Sequence, residues 1–458
     1  MARNYWTESE SATPVYLLQE AGELDALCAD RSHWQNWLQS LDFTFSTGSV
    51  IRFPGEGGAL EAVVAILSKK PTPNSYVKLL QSFPAGVYQL QQQGCVQSES
   101  AYKQSLLLLT LAGYEYTLVG DEEKAPKVQW QLPKAVNFSQ EQVAVEAADM
   151  VRDLVNTPAN YLQAPDLFLA TKALCDQHQA HLTTIQGQDL LASGYEGIYR
   201  VGQVGTEPPC LLDFSWGDES HPTVTLVGKG VCFDTGGLSL KTSRGMETMK
   251  KDMGGAAHVL GLAKMIMANN LPIRLRVLIA AVENGIGKGA MRPSDVLRYS
   301  DGTTVEVTNT DAEGRLIVAD GILAACADKN PDLLIDFTTL TGAARVAVGM
   351  DISAFFTTQT DAIAPFMELS EELTDLAWPM PLYGDYKSAL RSHVADMTNS
   401  ANTPWGGAIT AALFLQHFVP DDQQWWHFDV SAWVEGSKPG AAAMGLRTMF
   451  AWLERRFG

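Results

Sequence analysis

From about residue 166 onward, short apolar runs rich in β-branched residues alternate with stretches of helical spacing, and this alternation limits the fold more than any other feature. Cys210 to Phe214, Thr223 to Gly228, Leu275 to Val282, Leu333 to Phe337 and Trp426 to Val430 read as strands. The run holding Thr304, Val305, Val307 and Thr308 does so too. Between them, Leu167 to His178, Ala256 to Asn269 and the series Leu316, Ala319, Leu323, Ala327 keep helical spacing. Such alternation predicts an α/β fold with a mostly parallel sheet covered by helices. Ligands of open α/β sheets bind beyond the carboxyl ends of the strands. Lys229, Asp311 and the Thr338-to-Gly342 loop each follow a predicted strand, so they are expected to converge on one edge of one sheet.

The 458 residues exceed what one hydrophobic core organises, which predicts two domains. Before about residue 135, strands at Val15–Leu18, Ser49–Phe53 and Leu60–Leu67 alternate with helices at Val77–Ser82 and Glu99–Leu111. This part reads as a smaller N-terminal α/β domain with no cluster of titratable groups. The stretch from Glu122 to Lys134 carries lysines and prolines and reads as a connector. Ser139 and Gln142 form a capping-box pattern ahead of Val143, Ala147, Met150, Val151 and Leu154, predicting a linking helix. It ends before Pro158, which pushes Thr157 out of helical space. The expected organisation is an N-terminal domain over 1–135, a linking helix and connector over 136–165, and a larger catalytic domain over 166–458.

A formal net charge of -19 disfavours nucleic acid and anionic membrane surfaces as partners and favours divalent cations. The 6 cysteines show no Cys-x-x-Cys spacing, as expected of free thiols in a reducing compartment. The first residues are polar and acidic rather than a secretory leader. The longest apolar run, Leu106 to Ala112, is far short of the roughly 20 residues that span a bilayer. The expectation is a cytoplasmic protein with no membrane partner.

Chemistry concentrates in two clusters. Asp311, Glu313 and Arg315 recur at alternate positions on a predicted strand-to-helix turn, where free N–H groups and the helix dipole favour negative charge. Upstream, Lys229, Asp234 and Lys241 precede Asp252. Gathering Asp234, Asp252, Asp311 and Glu313 without cations would raise their pKa values sharply, and divalent ions resolve that conflict. Oxygen ligands alone suit Mg²⁺ or Mn²⁺, while nitrogen from a neutral lysine moves the preference toward Zn²⁺, Co²⁺ or Mn²⁺. None of the 8 histidines falls in these motifs, which argues against a histidine-ligated zinc protease.

Taken together, Lys229, Asp234, Lys241, Asp252 and the Asn309-to-Leu316 block resemble the signature of the leucyl aminopeptidase family, the two-metal cytosolic exopeptidases. The resemblance continues in Asn156–Asn160, Arg292–Asp295 and Thr339–Ala343 and spans roughly residues 150 to 458. It implies that Asp234 and Glu313 bridge two metals, that Asp311 completes one site, and that Lys229 with Asp252 completes the other. It implies further that Lys241 stabilises the oxyanion and that Arg315 holds a bicarbonate ion acting as base. Met249, Asn309 and Leu340 border these motifs and are the candidates for an apolar substrate pocket. The substrates implied are peptides with a free N-terminus, and the assembly implied is a homohexamer, with the first domain serving assembly or regulation. Two segments depart from the family pattern, Gly285-Ile286 and Lys438 to Gly445, and neither touches an implied ligand. A two-metal phosphatase or nuclease is the competing enzyme class, disfavoured by the ligating lysine and the acidic balance. A non-catalytic relative would be expected to have lost a ligand, and all five are present.

Overall fold

In the computed structural model, residues 3–9, 11–121, 125–435 and 440–458 are described. Glu122 to Lys124 of the expected connector, and Lys438 and Pro439 of the altered late segment, lie outside them. The chain divides into two compact units, Met1–Asp149 and Met150–Gly458.

The first unit is built on a 6-stranded sheet in the order Trp6–Thr7, Val128–Gln131, Gly86–Leu90, Thr13–Leu18, Leu60–Ile66, Val50–Pro54. Every neighbouring pair is parallel except the last. The helix expected from Val77 starts earlier, at Pro73, because Thr72 caps it and proline suits the first helical turn. The strands Gly86–Leu90 and Val128–Gln131 and the helices Ala21–Cys28 and Ser32–Ser40 were not expected from the sequence, being short and without a clean apolar period.

The second unit carries an 8-stranded sheet in the order Ala377–Pro379, Ser353–Thr357, Trp425–Asp429, Leu333–Thr338, Thr223–Asp234, Arg274–Asn284, Cys210–Trp216, His181–Gln186. The four strands from Trp425–Asp429 to Arg274–Asn284 run parallel, and an antiparallel pairing flanks them on each side. Helices cover both faces. A Cβ on Gly228 would meet Val259 and Ala256 of the helix Gly254–Ala268, whereas the neighbouring Val227 touches Gly321 of the helix Gly314–Cys326. These alternating contacts follow from the two-residue period of a strand. His427, fully buried, sets Nδ1 2.5 Å from Asp336 Oδ1 on the adjacent strand, and Trp425 donates its indole N–H to the other oxygen of Asp336 at 2.7 Å.

Two expectations change. The strand begun at Thr223 does not stop at Lys229 but runs on to Asp234, because Gly230 and Val231 keep pairing with Ala281 and Val282. Lys229 therefore sits inside a strand. The β-branched run before Asp311 forms only Thr304–Glu306 and joins a separate 3-stranded sheet with Val296–Arg298 and Met397–Thr398. The N–H of Thr308 goes to the Asn399 side chain at 2.8 Å, which ends the strand. Asp311 thus reaches the edge of the large sheet from outside it.

His258 lies fully buried in the helix Gly254–Ala268, stacked on Phe337. Its Nδ1 faces the Gly254 carbonyl at 2.6 Å and its Nε2 accepts the Met444 N–H at 2.9 Å, so both nitrogens are used by the neutral ring. Burial lowers its pKa from the ordinary 6.5 to about 4. Between those values the unfolded chain binds a proton that the folded chain refuses, so stability falls as pH drops through this window. At pH 5 the loss is about 2 kcal/mol, since each tenfold change in a protonation equilibrium is worth about 1.4 kcal/mol. Denaturant unfolding at pH 7.5 and pH 5 is expected to show a smaller pH dependence for His258→Phe than for wild type by about that amount; equal dependence would contradict a neutral buried His258.

Candidate metal centre

The strand Thr223–Asp234 supplies Lys229 from its interior and Asp234 from its end, and the following loop returns Lys241. The 3-10 turn Met249–Met253 supplies Asp252, and the turn into the helix Gly314–Cys326 supplies Asp311 and Glu313. Lys229 Nζ lies 2.7 Å from Asp252 Oδ2, 3.1 Å from Glu313 Oε1 and 3.0 Å from the Thr339 carbonyl. Lys241 Nζ lies 2.7 Å from Asp234 Oδ2 and also contacts Asp311 Oδ1. Lys229, Asp234, Asp252 and Glu313 are all at most 3% exposed, so water cannot dilute their charges. The structure therefore brings together all five residues read from the sequence as ligands, with Lys241 beside them.

Two glycines make this geometry possible. Gly236 has φ +87, and a Cβ there would lie 2.6 Å from the Ser239 carbonyl and 3.0 Å from Asp311 Oδ1, so the loop folds back onto the acids only without a side chain. At Gly314 a Cβ would fall 2.5 Å from Lys229 Cε and 2.7 Å from its Nζ.

The charges conflict. Burial first, then the charge of Asp234, pushes Glu313 up to about 7 and Asp311 up to about 6, and burial raises Asp252 as well. Burial favours a neutral Lys229, but Asp252, Glu313 and Asp234 outweigh it and hold the ammonium above its ordinary range. Ligand atoms of Asp234, Asp252 and Glu313 lie within 4.8 Å of one another. Asp252 Oδ2 and Asp311 Oδ1 are buried and face the ammonium groups of Lys229 and Lys241. Converging oxygens and like-charge strain are what divalent cations relieve, so the residues fit such ions.

Arg315 stands apart from the acids. Its guanidinium donates to the Asn399 carbonyl at 2.8 Å, its Nε is buried without a partner, and among the described residues no carboxylate pairs with it. Burial lowers its pKa to about 10.

Met249 is buried on the same turn as Asp252, and Leu340 is half-buried against the core. Asn309 faces inward: its side-chain oxygen accepts the Asp311 N–H at 2.9 Å and its carbonyl accepts from Asn399 at 2.7 Å. In the altered segment after Asn284, Ile286 is exposed.

Two residues of the site were not foreseen from the sequence. Asn284, buried, donates its amide to Asp234 Oδ1 at 2.8 Å and to the Thr310 carbonyl at 3.1 Å, with Glu313 Oε2 at 3.4 Å. A register shift between Val282 and Asn284 re-aims it. A polar residue closing an apolar strand was the signal. Asn399, fully buried, holds Thr308, Asn309 and Arg315 together from a loop that carries no pattern.

Residues 149–450 match the model of the cytosol aminopeptidase family catalytic domain, and residues 13–132 match that of the M17 aminopeptidase N-terminal domain. The chain belongs to the cytosol aminopeptidase family. It is 39% identical over 348 residues to a probable cytosol aminopeptidase of Nocardia farcinica, covering 73% of this chain and 68% of that one. The crystal structure of the cytosol aminopeptidase from Coxiella burnetii superposes with a TM-score of 0.92 at 39% identity, covering 99% of both chains. A bottromycin maturation enzyme in complex with Mn is similar over 98% of this chain and 100% of that one, with a TM-score of 0.83 and 29% identity. The protein is thus an aminopeptidase, a metal-dependent hydrolase of peptide bonds. No helix among the described residues is long and apolar enough to cross a membrane.

The packing of this aminopeptidase around Lys229 is open to a direct check. Alanine at position 314 would favour the helix by up to about 1 kcal/mol over glycine, but overpacking against a buried side chain costs about 1–3 kcal/mol. Gly314→Ala is therefore expected to destabilise the wild type and to be neutral or stabilising in a Lys229→Ala background, read by denaturant unfolding. An equal effect in both backgrounds would show that the lysine stem does not set the space.

Proposed function

We propose that this aminopeptidase releases amino-terminal residues from peptides, apolar ones by preference, with two divalent cations held by Lys229, Asp234, Asp252, Asp311 and Glu313. The supporting observation is the buried group of Asp234, Asp252 and Glu313, whose ligand atoms lie within 4.8 Å of one another. In this reading Asp234 and Glu313 would serve both cations, Asp311 would complete one site, and Lys229 with Asp252 would complete the other. One nitrogen among carboxylate oxygens suits zinc or manganese first and cobalt or magnesium after them. When bound, such cations polarise a carbonyl oxygen and lower the pKa of water to about 7.

To hold a cation, Lys229 would have to release its proton to solvent, and bound cations would favour this by offsetting the carboxylates that keep it charged. Lys241 keeps its proton: burial opposes the charge, but Asp234 and Asp311 outweigh it. Its ammonium faces the half-open side of the site and would stabilise negative charge developing on the carbonyl oxygen. Arg315, with an unused buried Nε, would hold bicarbonate, a planar anion suited to its fork, which supplies the base that no neighbouring side chain offers. Met249, Asn309 and Leu340 would border the side-chain pocket, and the substrate's uncharged α-amine would bind on the Asp252 side. That anchorage separates an exopeptidase from a general amidase, because amine binding positions the carbonyl.

Nucleic acid is disfavoured as a partner by the net charge of -19. A cytoplasmic location is proposed from the names of the relatives and the free state of all the cysteines. A homohexamer, with the first unit serving assembly or regulation, rests on family membership. The sedimentation mass of the purified protein is expected to equal six chains, and a mass of one chain would remove the assembly proposal.

The catalytic proposal predicts hydrolysis of leucine and methionine anilides in the presence of Mn²⁺ or Zn²⁺, and its loss when the α-amine is acetylated. Comparable rates on leucine anilide and its N-acetyl derivative would show that no amine site exists.

A further inference from the structure

The strand Trp425–Asp429 ends on a buried carboxylate that neither the proposed ligand set nor the proposed catalytic groups include. Asp429 is 3% exposed and is registered opposite Thr338, the last residue of the neighbouring strand. Among the described residues no ammonium or guanidinium pairs with it. Its donors come instead from the next loop: the Leu340 N–H reaches Oδ1 at 2.8 Å, the Thr341 N–H reaches the same oxygen at 3.1 Å, and the Thr341 hydroxyl donates to Oδ2 at 2.6 Å. The Thr341 hydroxyl in turn accepts the Ala344 N–H at 3.0 Å, so its single proton has only Asp429 to go to.

The loop fastened in this way leads into the metal centre. Thr339 donates its hydroxyl to Asp252, with Oδ1 and the backbone carbonyl each at 2.9 Å, and its own carbonyl accepts from Lys229 at 3.0 Å. The next residue, Leu340, is a candidate for the substrate pocket. One residue of this loop therefore touches two proposed ligands, the next one borders the pocket, and Asp429 fixes the backbone immediately beyond. A buried carboxylate suits that task because it accepts all three donors at once, whereas an amide offers a single acceptor atom.

We propose that Asp429 is a positioning residue that couples the substrate pocket to the metal centre, setting Leu340 for the substrate side chain and, through Thr339, aiming Asp252 and Lys229. The inference rests on the two-cation reading and adds to it a source of leucine preference. Groups that orient ligands in this way typically cost about 10–100-fold in activity or metal affinity when removed.

The test uses the full-length protein loaded with Co²⁺, whose visible absorption reports the ligand geometry without turnover. The variants are Asp429→Asn, Asp429→Ala, Thr341→Val and Thr341→Ser. Asp429→Asn and Thr341→Val are expected to keep the far-ultraviolet circular dichroism of wild type and to shift the Co²⁺ bands. Their kcat is expected to fall about 10–100-fold, and their kcat/KM ratio for leucine over alanine amide is expected to fall several-fold. Thr341→Ser, which keeps the hydroxyl, is expected to match wild type, and the Asn–Val double variant to lose no more than the worse single one. Asp429→Ala repeats the measurement should the asparagine rotate to satisfy the amides. Folded Asp429 variants with wild-type Co²⁺ bands and wild-type leucine preference would overturn the positioning role. A uniform loss on both amides with unshifted bands would overturn it as well, because destabilisation alone gives that pattern. Wild type that binds no Co²⁺ would instead overturn the two-cation reading.

Discussion

Asp234, Asp252 and Glu313 meet where water is almost absent, with the partly exposed Asp311 beside them, and their mutual repulsion is the constraint on which the rest of the site depends. Two unit charges 4 Å apart interact with about 4 kcal/mol at an effective dielectric near 20, and three of these carboxylates place ligand atoms within 4.8 Å of one another. Nothing in a folded chain tolerates that without compensation. The compensation takes several forms in this enzyme. Lys229 and Lys241 each lie between two of the acids, Asn284 donates to Asp234, and Gly236 donates its N–H to the same carboxylate at 2.8 Å. Asp311 and Glu313 nevertheless hold their protons more tightly than ordinary carboxyls, which is the electrostatic signature of a site built for more positive charge than the chain supplies.

The sheet makes this gathering mechanically possible. Strong pairing across the parallel strands, with small residues where helices press closest, gives a platform whose end does not yield to repulsion. Gly228 and Gly321 let the two helix layers approach from opposite faces. Asp336 and His427 join the strands whose ends carry Thr339 and Asp429. Burial opposes a charge on that imidazole, but Asp336 outweighs it and holds His427 above its usual range, and the contact between the two side chains ties the strands together. Removing either partner would leave the other buried without this hydrogen bond, which is destabilising.

Much of the catalytic unit was legible in the sequence, because fully buried parallel strands are continuous apolar runs and the helices between them keep a helical period. Leu333–Thr338, Arg274–Asn284 and Trp425–Asp429 were found within a residue or two at either end. The edge strands His181–Gln186 and Ala377–Pro379 were not, since a short strand beside one neighbour needs no such pattern, and Ser353–Thr357 next to the edge was missed with them. The strand before Asp311 was placed in the wrong sheet. Its β-branched residues are equally at home in the 3-stranded sheet, and only the tertiary pairing with Val296–Arg298 and Met397–Thr398 selects that one.

The sequence by itself determined the family and the candidate residues of the site. Four acids, two lysines and an arginine at those intervals belong to the cytosol aminopeptidase family, and local patterning carried most of the strands and helices that hold them. Tertiary structure alone decided which groups hold those residues in place. Asn284, Asn399 and Asp429 act through hydrogen bonds to residues distant in the chain, and such bonds leave no period or spacing in a sequence. It also decided that Arg315 turns away from the neighbouring acids toward Asn399. The preference of a guanidinium between a carboxylate and a carbonyl depends on how the surrounding segments bury it, and that is fixed only when they pack.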